Sequence, residues 1–117
     1  MIQLKLITED HKKMLKNGFR QIGDKQYELK FDVYKAMINC TIMLDTSTNF
    51  ADIEVTDKNL HCLYHPYYNN PRYSDLVAKQ VNRNIMAKAK RLQKAGIIEI
   101  EGKDMDKVRG FEVIGKE

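Results

Sequence analysis

The chain has 117 residues, 43% of them hydrophobic and 31% charged, with 20 Lys and Arg against 16 Asp and Glu for a net charge of +4. That composition excludes a disordered chain and fits one globular domain, residues 1–117, with a modest core. No apolar run approaches the roughly 18 residues of a membrane-spanning helix, and the opening MIQLKLITED lacks the basic-then-apolar order of a secretion signal, so the cytoplasm is the expected location. Cys40 and Cys62 both lie in apolar neighbourhoods and read as free, buried thiols rather than a disulfide framework.

Taken in chain order, Ile2, Leu4 and Leu6 alternate with Gln3 and Lys5 and predict a short strand. Thr8-Glu9-Asp10 then starts a helix, with acid at its positive dipole end and Met14, Leu15 and Phe19 on its buried face. Gly18 and Gly23 limit its length. Tyr27, Leu29, Phe31 and Val33 alternate with Glu28, Lys30 and Asp32 as a strand. From Val33 to Leu44 the spacing also fits a helix capped by Asp32, with Val33, Met37 and Met43 or Leu44 inward, so strand followed by helix is the expected order. Asp45-Thr46-Ser47-Thr48-Asn49 is a turn, and Ala51, Ile53 and Val55 alternate with Asp52 and Glu54 in a further strand.

Residues 63–73, LYHPYYNNPRY, set Tyr64, Tyr67, Tyr68 and Tyr73 with His65 and Arg72 around Pro66 and Pro71, a composition for a rigid loop. Aromatic rings stack on unpaired bases at about 1–3 kcal/mol per base, with nearby cations holding the backbone. Tyrosine equally seals the edge of a core while its hydroxyl reaches water.

The segment from Leu76 to Gly102, LVAKQVNRNIMAKAKRLQKAGIIEIEG, is the most informative part of the chain. Leu76 or Val77, Val81, Ile85, Ala89 and Leu92 recur at helical spacing, and Ser74 or Asp75 can cap the start while Gly96 ends the helix. No acidic residue occurs between Leu76 and Ile98, whereas Lys79, Arg83, Lys88, Lys90, Arg91 and Lys94 all carry positive charge. Residues 1–75 hold 10 basic and 10 acidic groups and residues 76–117 hold 10 basic and 6 acidic, so the whole net charge of +4 sits in the C-terminal part. A localised cationic surface attracts polyanions through counterion release. An ordinary solvated helix face would have the same look.

After the glycine come Ile97, Ile98 and Ile100, a polar tip containing Lys103, Lys107 and Arg109, and a return strand with Phe111 and Val113. Basic helix, glycine, short strand, polar tip and return strand together resemble the C-terminal half of a winged helix-turn-helix domain over residues 73–115. The resemblance implies an α+β fold with a winged-helix-like C-terminal half, a basic helix followed by a β-hairpin wing, and N-terminal strand and helix additions. It implies a supporting helix over residues 74–81, a turn over 82–84 and a recognition helix over 85–95. Arg83, Asn84, Lys88 and Arg91 would then face nucleic acid, with Lys103, Lys107 and Arg109 as wing contacts. Residues 78–96 are short for two helices and a turn and contain no internal breaker, so one continuous helix of about 20 residues and about 30 Å is the other outcome.

His61, Cys62 and His65 are the only cluster that hints at metal; the other ligands would have to be Cys40 and His11, at no motif spacing, so neither metal nor cofactor is expected. No Gly-rich phosphate loop, GxSxG or HExxH occurs, and Asp52 with Glu54, like Asp104 with Asp106, reads as a solvated polar pair. The expectation is a non-enzymatic DNA-binding protein that captures single strands through Lys79, Arg83, Asn84, Lys88, Arg91 and Lys94, the wing cations, and Tyr64, Tyr67, Tyr68, Arg72 and Tyr73. Sequence preference should be weak, and the lysine- and isoleucine-rich style suggests an accessory protein of a mobile element. Two other readings remain open. One is a dimeric transcriptional regulator reading duplex DNA, and the other is an adaptor or inhibitor whose basic helix docks on an acidic protein.

Overall fold

Alternating apolar residues build most of this molecule. In the computed structural model, which describes residues 3–64 and 76–101, the order is β1 (Gln3–Leu6), α1 (His11–Lys16), β2 (Arg20–Gly23), β3 (Gln26–Tyr34), β4 (Ile38–Asp45), β5 (Phe50–Asp57), β6 (Cys62–Leu63), α2 (Leu76–Lys94) and β7 (Ile98–Glu101). Strands β2 to β6 form an antiparallel meander in chain order, and β1 pairs antiparallel with β7 in a separate two-stranded sheet. The fold is thus α+β, mostly strand, with one main helix.

Register explains which sheet face is buried. Tyr27, Leu44 and Ala51 lie side by side across β3, β4 and β5, as do Leu29, Ile42 and Ile53, and then Phe31, Cys40 and Val55. Because successive side chains point to opposite faces, these rungs share one face, while Glu28, Lys30, Asp52 and Glu54 share the other. The apolar face joins Leu4, Leu6, Met14, Val81, Ile85, Leu92, Ile97 and Ile98 in a single core. Full burial of each such aliphatic side chain contributes about 1.5–3 kcal/mol.

The helix expected over residues 33–44 is instead the end of β3, a turn and strand β4. Ile38, Cys40, Ile42 and Leu44 alternate into the core, and β4 has a neighbour on either side, so the β-branched Ile38, Thr41 and Ile42 pack against both. Lys35 takes a positive φ of 51° in the connecting turn, and Met37, assigned inward by helical spacing, is exposed.

Helices α1 and α2 end by the same device. Gly96, at φ 81°, donates its N–H to the Gln93 carbonyl while Ile97 donates to Leu92; Gly18, at φ 94°, donates to Leu15 while Phe19 donates to Met14. These are paired bonds of the Schellman type, closed by a residue that tolerates the left-handed region. At the start of α1 the Asp10 carboxylate accepts from the Lys13 N–H. Met14 and Phe19 are buried as expected, but α1 is only 6 residues long and leaves Leu15 46% exposed.

Helix α2 runs for 19 residues without a break, so residues 82–84 form no turn and the supporting and recognition helices implied by the winged-helix resemblance are one element. Val81, Asn82, Ile85 and Met86 are all buried across that point, which keeps the apolar face continuous. Leu76 is 77% exposed and does not begin that face. Strand β7 follows at once and pairs with β1, Leu4 opposite Ile100 and Leu6 opposite Ile98; the expected return strand with Phe111 and Val113 lies outside the described residues. Among the described residues no helix is long and apolar enough to cross a membrane.

A candidate nucleic-acid interface on helix α2

Helical periodicity divides α2 into a buried and a cationic side. Ile85 marks the centre of the buried side, and at about 100° per residue Arg83, Ala87, Lys90 and Lys94 fall on the opposite ridge. All four are exposed. Arg91, also exposed, lies on the flank facing β3, with the half-buried Asn84 and Lys88; Lys79 is half-buried on the other flank. From Arg83 to Lys94 the ridge spans about 16 Å, from the helical rise of about 1.5 Å per residue.

Nothing described neutralises this ridge. The one salt bridge among the described residues joins Arg20 to Glu28 at 2.6 Å, on the sheet. Lys88 instead places Nζ 5.2 Å from the centroid of the Phe31 ring, a cation–π contact. The carboxylates of Glu28, Asp52 and Glu54 lie on the sheet face turned away from the core, with Lys30 and with the Arg20 that pairs with Glu28.

The site differs from the sequence expectation in four respects. Asn84, implied as a base-reading residue, donates its side-chain N–H to the Val33 carbonyl at 2.7 Å, and its Oδ1 accepts from Gln80 at 3.2 Å. Its amide ties the helix to β3. Tyr64, expected to stack on bases, is only 9% exposed and belongs to the core, where its N–H donates to the Val55 carbonyl at 2.8 Å. Its ring seals the core edge. Lys90, which is not among the expected contacts, sits centrally on the exposed ridge; its spacing of seven from Arg83 and four from Lys94 carries that signal. Finally, Cys62, expected to be buried, is exposed at the sheet edge, whereas Cys40 is buried as expected and burial pushes its thiol up to about 12.

Tyr67, Tyr68, Arg72, Tyr73, Lys103, Lys107 and Arg109 lie outside the described residues, as does His65. Among the described residues no three His, Cys, Asp or Glu side chains are grouped to hold a metal ion. His11 shares a 2.7 Å hydrogen bond with the Tyr27 hydroxyl.

Where α2 passes β3 there is a shallow groove of about 260 Å³ lined by Phe31, Asp32, Asn84, Ala87, Lys88 and Arg91. Beyond Glu28 the edge of β3 away from β4 has no strand partner among the described residues, and α2 passes along this part of β3. None of the sequence patterns pointed to it, since Phe31 and Asp32 are 52 or more positions from the helix residues that line it with them.

Comparison with known proteins adds no relative: no family model, no curated protein and no solved structure matches the chain.

Proposed function

We propose that the protein is a non-enzymatic DNA-binding protein that holds the phosphate backbone on the exposed ridge of α2, favouring single strands and with weak sequence preference. The observation that carries this reading is the run Arg83, Lys90, Arg91 and Lys94, exposed on one helix without an ion-pair partner among the described residues. A cationic ridge of about 16 Å is long enough to contact several successive phosphates of one strand. Lys90 and Lys94 act on phosphate as point charges, and Asn84, the carboxamide that the winged-helix resemblance turns towards base edges, holds a donor on Val33; both features support weak base readout.

The winged-helix likeness enters this reading in reduced form. One presenting helix leads through Gly96 into β7, and Lys103, Lys107 and Arg109 are proposed as the second contact. A cytoplasmic location and an accessory role in a mobile element belong to the same proposal.

The test is fluorescence anisotropy with a labelled single strand, its duplex and the matching RNA across a salt series, on the parent and on Arg83→Glu/Lys90→Glu/Lys94→Glu. The parent should lose affinity log-linearly, with a slope of about −2 to −3 on the single strand if three to four phosphates are neutralised at about −0.7 each. The triple variant, whose three changes are all on exposed side chains, should keep its circular dichroism spectrum and lose most binding. A correctly folded triple variant that binds as the parent does would refute the interface, and tighter binding to duplex would replace strand capture with groove reading.

A further inference from the structure

Two aromatic residues share the strip of β3 that α2 passes. Phe31 is in register with Cys40 and Tyr34 with Ile38, and both partners are buried, so Phe31 and Tyr34 lie on the core face of the sheet. The register shift between Asp32 and Tyr34 brings them to one face, since residues three apart on a regular strand point to opposite sides. Both are half-buried at the margin of the core. Each ring lies under an ammonium: Lys88 Nζ is 5.2 Å from the Phe31 centroid and Lys35 Nζ is 5.4 Å from the Tyr34 centroid. Neither lysine makes an ion pair among the described residues. The Asn84 side chain, bonded to the carbonyl of Val33, holds α2 beside this strip, so the aromatic pair adjoins the cationic helix.

The spacing of the pair bears on what can bind there. Cys40 and Ile38 are two residues apart on β4, which sets Phe31 and Tyr34 about 6.8 Å apart along the sheet. Stacked bases in a helix rise only about 3.4 Å per step. Adjacent bases lying one on each ring are therefore drawn apart from one another, a geometry open to an unpaired strand and closed to a duplex, where pairing and stacking hold every base in place. A ring with a cation beside it supplies the two contacts that strand binding without base readout requires: stacking for the base and neutralisation for the phosphate. Asp32, in register with Asn39, belongs to the other face of the sheet, so its carboxylate is turned away from the rings.

We propose that Phe31 and Tyr34 form a stacking platform for two successive unpaired bases of single-stranded DNA, and that this platform sets the preference for a single strand. The proposal rests on the strand-binding reading above: the ridge of α2 holds phosphates, and the platform selects the unpaired form. Tyr64, an expected stacking residue, is buried and does not take this part. As the bases enter, Lys88 and Lys35 leave the ring faces for the adjoining phosphates, a movement their unbranched stems allow. Because every base has a π-face, the platform adds selection for unpaired DNA and no sequence preference.

The test is fluorescence anisotropy with a labelled single strand and its duplex, on the parent, Phe31→Leu and Tyr34→Leu; leucine keeps an apolar side chain and removes the ring. Each variant should bind the single strand about five- to tenfold more weakly, the lower part of the range for one stacked base, and the duplex within about twofold of the parent. Unchanged single-strand binding would overturn the platform. Equal losses on strand and duplex would also overturn it, since rings that only hold α2 in place affect both forms alike. Tyr34→Trp supplies a second readout that keeps a ring at the site, because the chain has no other tryptophan. Its fluorescence should be quenched as the single strand saturates it and remain unchanged with the duplex; no quenching at saturation would overturn the platform even where the leucine variants misfold. A parent that binds the duplex as tightly as the single strand would overturn the platform and leave the cationic ridge standing. Binding to neither form would end the strand-binding reading and this proposal together.

Discussion

Asn84 separates a structural role from a recognition role, and its replacement can be worked through quantitatively. In Asn84→Ala the Val33 carbonyl loses the 2.7 Å bond that anchors the middle of α2 to β3. An unsatisfied buried acceptor costs about 1–3 kcal/mol; Asn84 is half-buried, water regains part of that, and about 1–2 kcal/mol is the expected loss. The substitution also improves helix propensity by up to about 0.7 kcal/mol, because alanine is the better helix former. The net destabilisation is therefore about 0.5–1.5 kcal/mol. Urea unfolding followed by circular dichroism should show it as a lower midpoint with an unchanged slope. Asn84→Asp should cost more, since it sets a carboxylate oxygen against the Val33 carbonyl in place of a donor. The reasoning is refuted if Asn84→Ala leaves the midpoint unchanged or raises it. If that result came with altered base preference, the amide would be reading nucleic acid after all.

Further outcomes follow from the thiols and from the turn between β4 and β5. A small thiol reagent at neutral pH should label the exposed Cys62 rapidly and the buried Cys40, whose thiol is pushed up to about 12, only as fast as the domain unfolds; rapid modification of both would contradict the packing of β4. Hydrogen bonds from the Ser47 hydroxyl and then its backbone N–H hold the Asp45 carboxyl below the usual aspartate range. Because the folded value is depressed, the stability this turn contributes is present above the ordinary aspartate pKa and is lost as pH falls through the folded value. Ser47→Ala should move the Asp45 titration, followed by NMR, back up towards the ordinary range; an unmoved titration would show that Ser47 is not the cause.

Much of the fold was legible because it depends on local alternation and local stops. Leu4 and Leu6 in β1, the run from Tyr27 to Val33 in β3, Ile53 and Val55 in β5, and the stripe from Val81 to Leu92 in α2 each declare their buried face within one element. Gly18 and Gly96 likewise announced the ends of their helices. The cationic character of α2 was equally plain, since it needs only the absence of Asp and Glu between Leu76 and Ile98. Residues 33–44 were ambiguous because a short apolar run fits either period, and only the strands on both sides of β4 make Ile38, Cys40, Ile42 and Leu44 a sheet rung rather than a helix stripe.

What the chain determined alone is a charge pattern and a set of amphipathic segments; partners across space were decided by tertiary structure. Asn84 as a tether to Val33 and the Lys88 ammonium over the Phe31 ring both depend on how α2 lies against β3. The physical reason is that periodicity reports which face of an element turns inward, whereas hydrogen-bond partners and grooves depend on the element packed against it. Those contacts are separated by some 50 positions here, and no pattern in one segment encodes the identity of the other.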